Sequence, residues 1–154
     1  MRVWRIATKA HQACDGEGAR LYGSRWTPRG RRAVFASATL SLAALERFVH
    51  VDPDLEAPDL VALTIDVDSD VEIQTVDAGD LPAGWREYPP PDALMRVGES
   101  WLGASTTVML SVPSAVSPHE RNYVINPSYA GFAGLTVGRP APFSFDPRMW
   151  KSKR

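Results

Sequence analysis

The chain is poor in cysteine and lacks any long apolar run. Cys14 is the single cysteine among 154 residues, so no internal disulfide can form, and a cysteine-based metal site would need other ligands. A membrane-spanning helix needs about 18 consecutive apolar residues, and no segment approaches that length. Residues 1–18 also lack the apolar stretch of a secretion signal. These absences predict a soluble protein of the reducing cytoplasm, with no membrane partner.

Lysine is scarce too, with 3 residues against 14 arginines, yet the net charge is only −1. The charge is unevenly distributed. Residues 20–32 hold five arginines and no carboxylate, whereas residues 52–80 hold ten acidic residues and neither Lys nor Arg. A general nucleic-acid binder usually carries a basic overall balance, which this chain does not have. We therefore expect no direct binding of nucleic acid.

Several catalytic and metal-binding motifs are missing. The sequence has no P-loop, no G-x-S-x-G nucleophile elbow and no Rossmann G-x-G-x-x-G. The histidines His11, His50 and His119 do not have the spacing of zinc ligands. The acidic segment 66–77 alternates like a calcium loop, but Val71 stands where such a loop needs glycine. The sequence thus predicts neither a metal site nor a resident cofactor.

The apolar pattern predicts a single compact α+β domain over residues 1–154, with mixed or antiparallel sheets flanked by helices. Strands outnumber helices, and no βαβ repeat recurs, which disfavours a doubly wound parallel sheet. Residues 15–30 are expected to be irregular or briefly extended because glycines interrupt them. Strands are predicted over residues 2–6, 33–37, 60–67, 71–76, 106–114, 122–126 and 143–146.

Two helices are predicted from their start and stop signals. The first begins after a capping Ser37 or Thr39 and is expected to stop before Pro53. The second opens at Pro91 or Asp92, because proline is tolerated in the first turn of a helix. These helices separate the predicted strands.

Glu46 is the most informative residue of the first helix. At about 100° per residue, Leu42, Leu45 and Val49 lie within about 60° of one direction, and Glu46 lies within the same arc. A carboxylate on an apolar face needs a cationic or hydroxyl partner, or a position that lines a cleft. The arginine-rich segment offers a cationic partner. A boundary residue or a purely structural ion pair is an equally open interpretation.

The segment 20–30 combines arginines with aromatic residues in a pattern that suits a nucleotide. Arginine binds phosphate well because its planar fork donates two parallel hydrogen bonds and keeps its charge at neutral pH. Tyr22 and Trp26 stand beside Arg20 and Arg25, where they can stack on a flat ring. The segment therefore favours a ligand that has both phosphates and a ring.

Ser114 follows a predicted strand at a turn. A serine at a strand end can present its hydroxyl to a ligand, as functional loops on rigid scaffolds often do. The alternative is a hydrogen bond within the turn that Pro113 and Ser114 begin. The sequence leaves both roles open.

Together these segments resemble the RES-domain family, the toxins of bacterial toxin–antitoxin modules that pair with Xre-type antitoxins. The resemblance rests on segments in the same order, which are GEGARLYGSRWTPRG, AVFASATLSLAALE, LSVPSAV with ERNYVINP, and FSFDPR. It implies that Arg25, Glu46 and Ser114 are the defining trio of the site. The sequence departs from the family at three positions, where Phe35 replaces a common tyrosine, Thr27 a common asparagine and Tyr129 a common histidine.

The resemblance implies a fold similar to that of ADP-ribosyltransferase toxins and an activity on NAD+. The nicotinamide–ribose bond would be cleaved by hydrolysis, or by phosphorolysis with inorganic phosphate, so that NAD+ is a consumed substrate. Glu46 would stabilise positive charge on the ribose, Arg25 and Arg20 would hold phosphates, and Ser114 would hydrogen-bond ribose or nicotinamide. The substrate-binding residues that the resemblance implies are Arg20, Tyr22, Trp26, Phe35 and Asn126.

Two other functions stay open at this point. One is mono-ADP-ribosylation of a specific cellular protein, and the other is a catalytically silent NAD-binding or interaction module, which Phe35 motivates. The family also implies a cognate Xre-type antitoxin, bound in a hetero-oligomer that blocks the cleft. A negatively charged terminus of the antitoxin would complement Arg20 and Arg25.

Overall fold

The computed structural model of the chain describes residues 1–50 and 59–150. Its helices are α1 (Glu17–Tyr22), α2 (Leu40–Phe48) and α3 (Asp92–Ala104). Short 3-10 turns occupy Lys9–His11, Ala78–Asp80, Ala130–Gly134 and Pro147–Met149. The strands are β1 (Arg2–Thr8), β2 (Val34–Ser37), β3 (Leu60–Val67), β4 (Ile73–Thr75), β5 (Met109–Pro113), β6 (Arg121–Ile125), β7 (Leu135–Val137) and β8 (Ala141–Pro142).

All eight strands join one mixed sheet in the order β4-β5-β6-β2-β1-β3-β7, with β8 also pairing with β3. The pairing of β4 with β5 is parallel and the other described pairings are antiparallel. Strand β1 pairs with β3 along its whole length, from Arg2 opposite Asp66 to Thr8 opposite Leu60. An ion pair of 2.7 Å between Arg2 and Asp66 closes one end of this pairing. The predicted α+β class, with a mixed sheet flanked by helices, is confirmed.

Helix α2 packs on β1 and β2, and the burial of Leu42 and Ala43 fixes which side of the helix faces the sheet. Thr39 is the predicted N-cap, since its hydroxyl accepts a 3.1 Å hydrogen bond from the amide of Leu42. Leu45 and Val49 are 38% and 53% exposed, so the apolar face expected from the sequence is wrong at these positions. The helix ends at Phe48, and Pro53, which was expected to stop it, lies outside the described residues.

The packing of α2 on β1 and β2 forms one core, and a second core forms where α3 covers β5 and β6. Leu94 and Trp101 of this helix pack with Leu110, Val112 and Val124 of the two strands. Trp26 and Ala19 extend the same cluster toward α1. The helix begins at Asp92 after Pro91, as predicted. The second core thus anchors the segment that carries Arg25.

The expectation that residues 15–30 are irregular or extended is wrong over α1. The carboxylate of Asp15 accepts a 3.0 Å hydrogen bond from the amide of Glu17 at the start of this helix. Gly23, at φ 70°, then closes the helix by donating its amide to the carbonyl of Ala19. Burial of Ala19 in the second core stabilises a turn of helix that the glycine-rich sequence does not favour by itself.

The strand predicted over residues 60–67 is confirmed with the same ends, and the other predicted strands are confirmed with shifted ends, except for the one over residues 143–146. The last strand is β8, and the rings of Phe143 and Phe145 stack edge-on at 5.2 Å instead of continuing it. The sequence also did not predict β7, whose three residues pair with β3. Within residues 1–50 and 59–150, none of the helices has the length and apolarity required to cross a bilayer.

Candidate active site

A cavity of about 530 Å³ lies where α2 meets β1, β2 and β6. Its volume is within the range of small-molecule sites, about 300–1,000 Å³. Its aromatic lining residues are Trp4, Trp26, Phe35 and Tyr88. Its charged lining residues are Arg5, Arg25, Glu46, Arg47 and Arg86. Four guanidinium groups against one carboxylate, beside aromatic rings, suit an anionic ligand that contains a flat ring.

Two side chains hold one oxygen of the Glu46 carboxylate, one just after β5 and the other on β6. Its Oε1 accepts a 2.7 Å hydrogen bond from Oγ of Ser114 and a 2.5 Å hydrogen bond from Nδ2 of Asn122. The Oδ1 of Asn122 accepts in turn from Oγ of Ser37, at 2.7 Å. No described residue donates to Oε2 of Glu46. Described residues therefore fix one oxygen of this carboxylate, and the other has no donor among them.

Ser114 is fully buried and reaches the cavity only through Glu46. Besides donating to that carboxylate, its Oγ accepts hydrogen bonds from the amides of Val116 at 3.1 Å and Ser117 at 2.9 Å. The turn hydrogen bonds considered for this serine are thus present, whereas its hydroxyl donates to Glu46 instead of being presented to a ligand. Its hydrogen-bonding capacity is filled by the protein.

Arg25 holds the loop opposite α2. Its Nη1 donates to the carbonyl oxygens of Trp85 at 2.6 Å and Glu87 at 3.2 Å. Burial lowers the pKa of this guanidinium, and the negative charge of Glu46 opposes that shift. Arg25 forms no ion pair with Glu46, so the cationic partner proposed from the sequence acts only through space. The hydroxyl partner and the cleft position are the expectations that are confirmed.

The structure brings together five of the eight residues singled out from the sequence. Arg25, Glu46, Trp26 and Phe35 line the cavity, and Ser114 lies directly behind Glu46. The other three do not line it. Arg20 bonds to Glu17 on α1, Tyr22 is 76% exposed, and buried Asn126 accepts from the amide of Ser128 at 3.0 Å.

Sequence analysis missed several polar residues of the cavity, among them Asn122 and three arginines. Asn122 lies directly opposite Ser37 in the pairing of β2 with β6, which no local pattern reveals. Arg5 had a usable signal, because it is a charged residue in the middle of an apolar strand. Arg47 and Arg86 each stand between a glutamate and an aromatic residue in the sequence, and this context gives no such signal. The described residues contain no cluster of metal-ligating side chains that could hold an ion.

The sheet, the cavity and the half-buried Glu46 together define a domain built around one carboxylate site. The match to the RES domain family extends over residues 2–146, nearly the whole chain. The chain belongs to the RES domain family. The suspected resemblance is therefore confirmed.

Curated relatives match across almost their full length. A protein named Toxin Res from Photorhabdus laumondii is 36% identical over 143 residues, which cover 92% of this chain and 91% of the relative. A protein named Prs ADP-ribosylating toxin from Sphingobium sp. is 33% identical over 160 residues, with 95% and 94% covered. Proteins of both names thus share this domain.

A solved structure has the same fold at low sequence identity. The crystal structure of the M. tuberculosis MbcT–MbcA toxin–antitoxin complex contains a chain that matches with a TM-score of 0.75 and 16% identity. The match covers 93% of this chain and 84% of that chain. At this identity the likeness establishes the fold alone.

Proposed function

We propose that this protein is the toxin of a toxin–antitoxin module and that it consumes NAD+ by cleaving the bond between nicotinamide and ribose. The observation that carries the proposal is the half-buried Glu46 of the cavity, whose Oε1 is held by Ser114 and Asn122 while Oε2 has no donor among the described residues. Kinship with proteins named Toxin Res supports the biological role. The surrounding arginines and aromatic rings support a dinucleotide as the ligand.

The chemistry follows from the charge that develops in this step. When the bond between the ribose C1′ and the nicotinamide nitrogen breaks, the electron pair leaves with nicotinamide and positive charge develops on the ribose. The fixed carboxylate of Glu46 stabilises that charge without having to reorganise during the step. The acceptor oxygen then forms a bond to C1′, and its proton is released to solvent. Glu46 is therefore the catalytic residue, whereas Ser114 and Asn122 position it.

Arg25 and the rings account for binding rather than for bond breaking. A guanidinium carries its charge at every physiological pH and can bind the pyrophosphate while it also anchors the loop carbonyls of Trp85 and Glu87. Phe35 and Trp26 offer apolar faces against which a nicotinamide or adenine ring can stack. Arg20, Tyr22 and Asn126 lie outside the cavity, and this mechanism gives them no role.

The bond-breaking step is the same for three possible acceptors of the ADP-ribosyl group, which are water, inorganic phosphate and a protein side chain. Transfer to a protein is the second candidate function, because one relative is named Prs ADP-ribosylating toxin. In that reaction the same carboxylate would serve, and a protein side chain would attack C1′ in place of water or phosphate. No bound metal or redox cofactor takes part in either proposal.

An antitoxin is the proposed macromolecular partner. The solved structure with this fold is that of a toxin–antitoxin complex, and four arginines at the cavity suit an acidic segment. We propose a cognate antitoxin of the Xre type that occupies the cavity in a hetero-oligomer. Charge reversal at Arg25 should then weaken the complex, which calorimetry with the purified antitoxin measures.

The test of the enzymatic proposal is the concentration of NAD+ over time, with and without inorganic phosphate. We expect wild-type protein to release nicotinamide and Glu46→Gln to be slower by about 100-fold to 1,000-fold. Glu99→Gln, on the exposed side of α3, is the matched control and should behave as wild type. Radiolabel from NAD+ that accumulates on a protein would favour the transferase. If wild-type protein leaves NAD+ intact in every condition, the domain is a silent binding module.

A further inference from the structure

Ser24 and Thr27 form a pair of hydroxyl groups in the wall of the cavity. Ser24 lines the cavity together with Arg25, whereas Thr27 has no exposed surface. The two hydroxyl oxygens lie 2.9 Å apart, which is a hydrogen-bond distance. The same residues close a tight turn around Arg25 and Trp26, because the amide of Ser24 donates to the carbonyl oxygen of Thr27 at 2.8 Å. The pair therefore lies directly beside a charged residue of the site.

The hydroxyl oxygen of Ser24 is already filled as an acceptor. It accepts hydrogen bonds from the amide of Trp26 at 3.1 Å and from the amide of Thr27 at 3.0 Å. A hydroxyl oxygen has two lone pairs, and these two amides occupy both. A third donor can bind this oxygen only by sharing a lone pair. The hydrogen-bonding group that Ser24 still has to place is its own hydroxyl proton.

The pair has two hydroxyl protons and too few acceptors for them. Oγ1 of Thr27 makes its one hydrogen bond with the described residues to Oγ of Ser24. If Ser24 donates to Thr27, the proton of Thr27 is buried with no acceptor among these residues. If Thr27 donates to Ser24, the proton of Ser24 is released from the pair, and Ser24 lines the cavity. Because buried polar groups are nearly always satisfied, an acceptor atom in the cavity favours the second arrangement.

We propose that Ser24 is a substrate-binding residue, whose hydroxyl donates to a phosphate oxygen of the dinucleotide while Thr27 donates to Ser24. The proposal rests on the proposed function and deepens it, because it adds a neutral donor beside the guanidinium that binds the pyrophosphate. Ser24 directly precedes Arg25 and lines the same cavity, so both residues reach the same part of the ligand. A hydrogen bond to an anionic oxygen is stronger than one to a neutral group, which favours phosphate as the acceptor.

The test measures binding of NAD+ and of inorganic pyrophosphate to full-length protein that carries Glu46→Gln, so that NAD+ persists during titration calorimetry. We expect Ser24→Ala in this background to weaken both probes about tenfold, since a donor to an anion is lost. Ser24→Thr keeps the hydroxyl and should keep most of the affinity. Thr27→Val removes the buried hydroxyl without removing the donor and should weaken binding less than Ser24→Ala. Ser144→Ala, at an exposed position, is the matched control and should bind unchanged. Thermal denaturation verifies that each variant is folded.

The two probes and the threonine variant separate contact with phosphate from other roles of Ser24. Weaker binding of both probes to Ser24→Ala alone supports the proposal. Unchanged binding to Ser24→Ala overturns it, and so does a loss confined to NAD+, which places the contact elsewhere on the dinucleotide. Equal losses in Ser24→Ala and Thr27→Val also overturn it, because the turn then only holds Arg25. If NAD+ alone fails to bind when Ser24 is intact, the proposed function is wrong, while pyrophosphate still decides the role of Ser24. If neither probe binds, the proposal is wrong as well.

Discussion

The hydroxyl of Ser114 donates a 2.7 Å hydrogen bond to Oε1 of Glu46 across 68 residues of sequence, and Ser114 has no exposed surface. Under the proposed function, the serine therefore acts on the ligand through the carboxylate that it holds. A role in positioning predicts a different set of kinetic effects from a role in direct contact with substrate.

Replacing Ser114 by alanine should lower kcat for NAD+ cleavage by about 10-fold to 100-fold with little change in KM, because Glu46 loses orientation while the binding surface is kept. The amides of Val116 and Ser117 also lose their acceptor, which should reduce the free energy of unfolding by about 1–3 kcal/mol. Steady-state kinetics and urea denaturation measure the two effects. Ser117→Ala is the control, since only its backbone amide takes part in the network. A rise in KM at constant kcat would show that Ser114 contacts substrate.

Replacing Asn122 by aspartate should lower the rate of NAD+ cleavage more than replacing Ser114 by alanine. The change substitutes a like charge for the Nδ2 donor on Oε1 of Glu46 with almost no change in shape. Because the second carboxylate opposes ionisation of the first, the acid limb of the pH–rate profile should move to higher pH. Asn126→Asp is the matched control, because that buried side chain accepts from the amide of Ser128 outside the cavity. An unmoved acid limb would contradict the role given to Asn122.

Substitutions of Phe35 test two points. One is whether its ring binds NAD+ by stacking, and the other is whether a tyrosine hydroxyl at this position would contribute to the reaction. We expect Phe35→Leu to raise KM for NAD+, because the flat face is lost while the apolar volume is largely kept. Phe35→Tyr should raise kcat if the hydroxyl common in the family contributes to the reaction. Turnover by both variants, measured as nicotinamide release, separates the two contributions. A Phe35→Leu variant with wild-type KM would exclude stacking at this position.

Gly98 allows α3 to pack closely against the segment that carries Arg25, so a larger residue there should affect both stability and the site. A Cβ at this position would lie 1.8 Å from the carbonyl oxygen of Trp26, beside Arg25. Gly98→Ala should therefore lower stability by about 1–3 kcal/mol or more and reduce NAD+ cleavage, since the helix and this segment must move apart. Gly103→Ala on the same helix meets no atom within 4 Å and should leave stability unchanged or slightly raised. Thermal denaturation compares the two, and equal melting temperatures would disprove the close packing.

Cys14 reports on the charge of Arg5 because it is the single thiol of the chain. Burial raises the pKa of this thiol, and the nearby Arg5 guanidinium partly opposes that shift. The rate of reaction with a thiol reagent should therefore rise with pH around a midpoint above that of an ordinary cysteine. Arg5→Gln should move the midpoint still higher, since a cation that favours the thiolate is lost. A midpoint that falls in this variant would contradict the arrangement.

Sequence alone predicted the elements that carry a strong local signal. The apolar run of β3 and the helix that opens after Pro91 are such elements, and both are present. Helix α1 was missed because its stability comes from the burial of Ala19 and from the pairing of Arg20 with Glu17 rather than from helix propensity. The short strand β7 was missed because its pairing with β3 is a contact distant in sequence.

Part of the site was also predictable, because some of its residues carry a strong local signal in the sequence. Glu46 could be found because a carboxylate near apolar residues on a helix is costly, and Ser114 because it follows a strand. Asn122 and Arg5 enter the cavity only after the sheet places β6 beside β2 and β1 beside both β2 and β3. Such neighbours depend on strand order, which no local pattern determines. Conversely, Tyr22 and Arg20 are close to Arg25 in sequence but do not line the cavity.

The long sequence separation within the carboxylate network has a consequence for synthesis on the ribosome. The donors to Glu46 are translated 68 and 76 residues after it, so a nascent chain that has not yet reached β6 has no assembled site. At about 5–20 residues per second, this delay lasts several seconds. Under the proposed function the growing polypeptide is harmless to its host during that interval. A gene truncated before codon 122 would encode a product without toxicity.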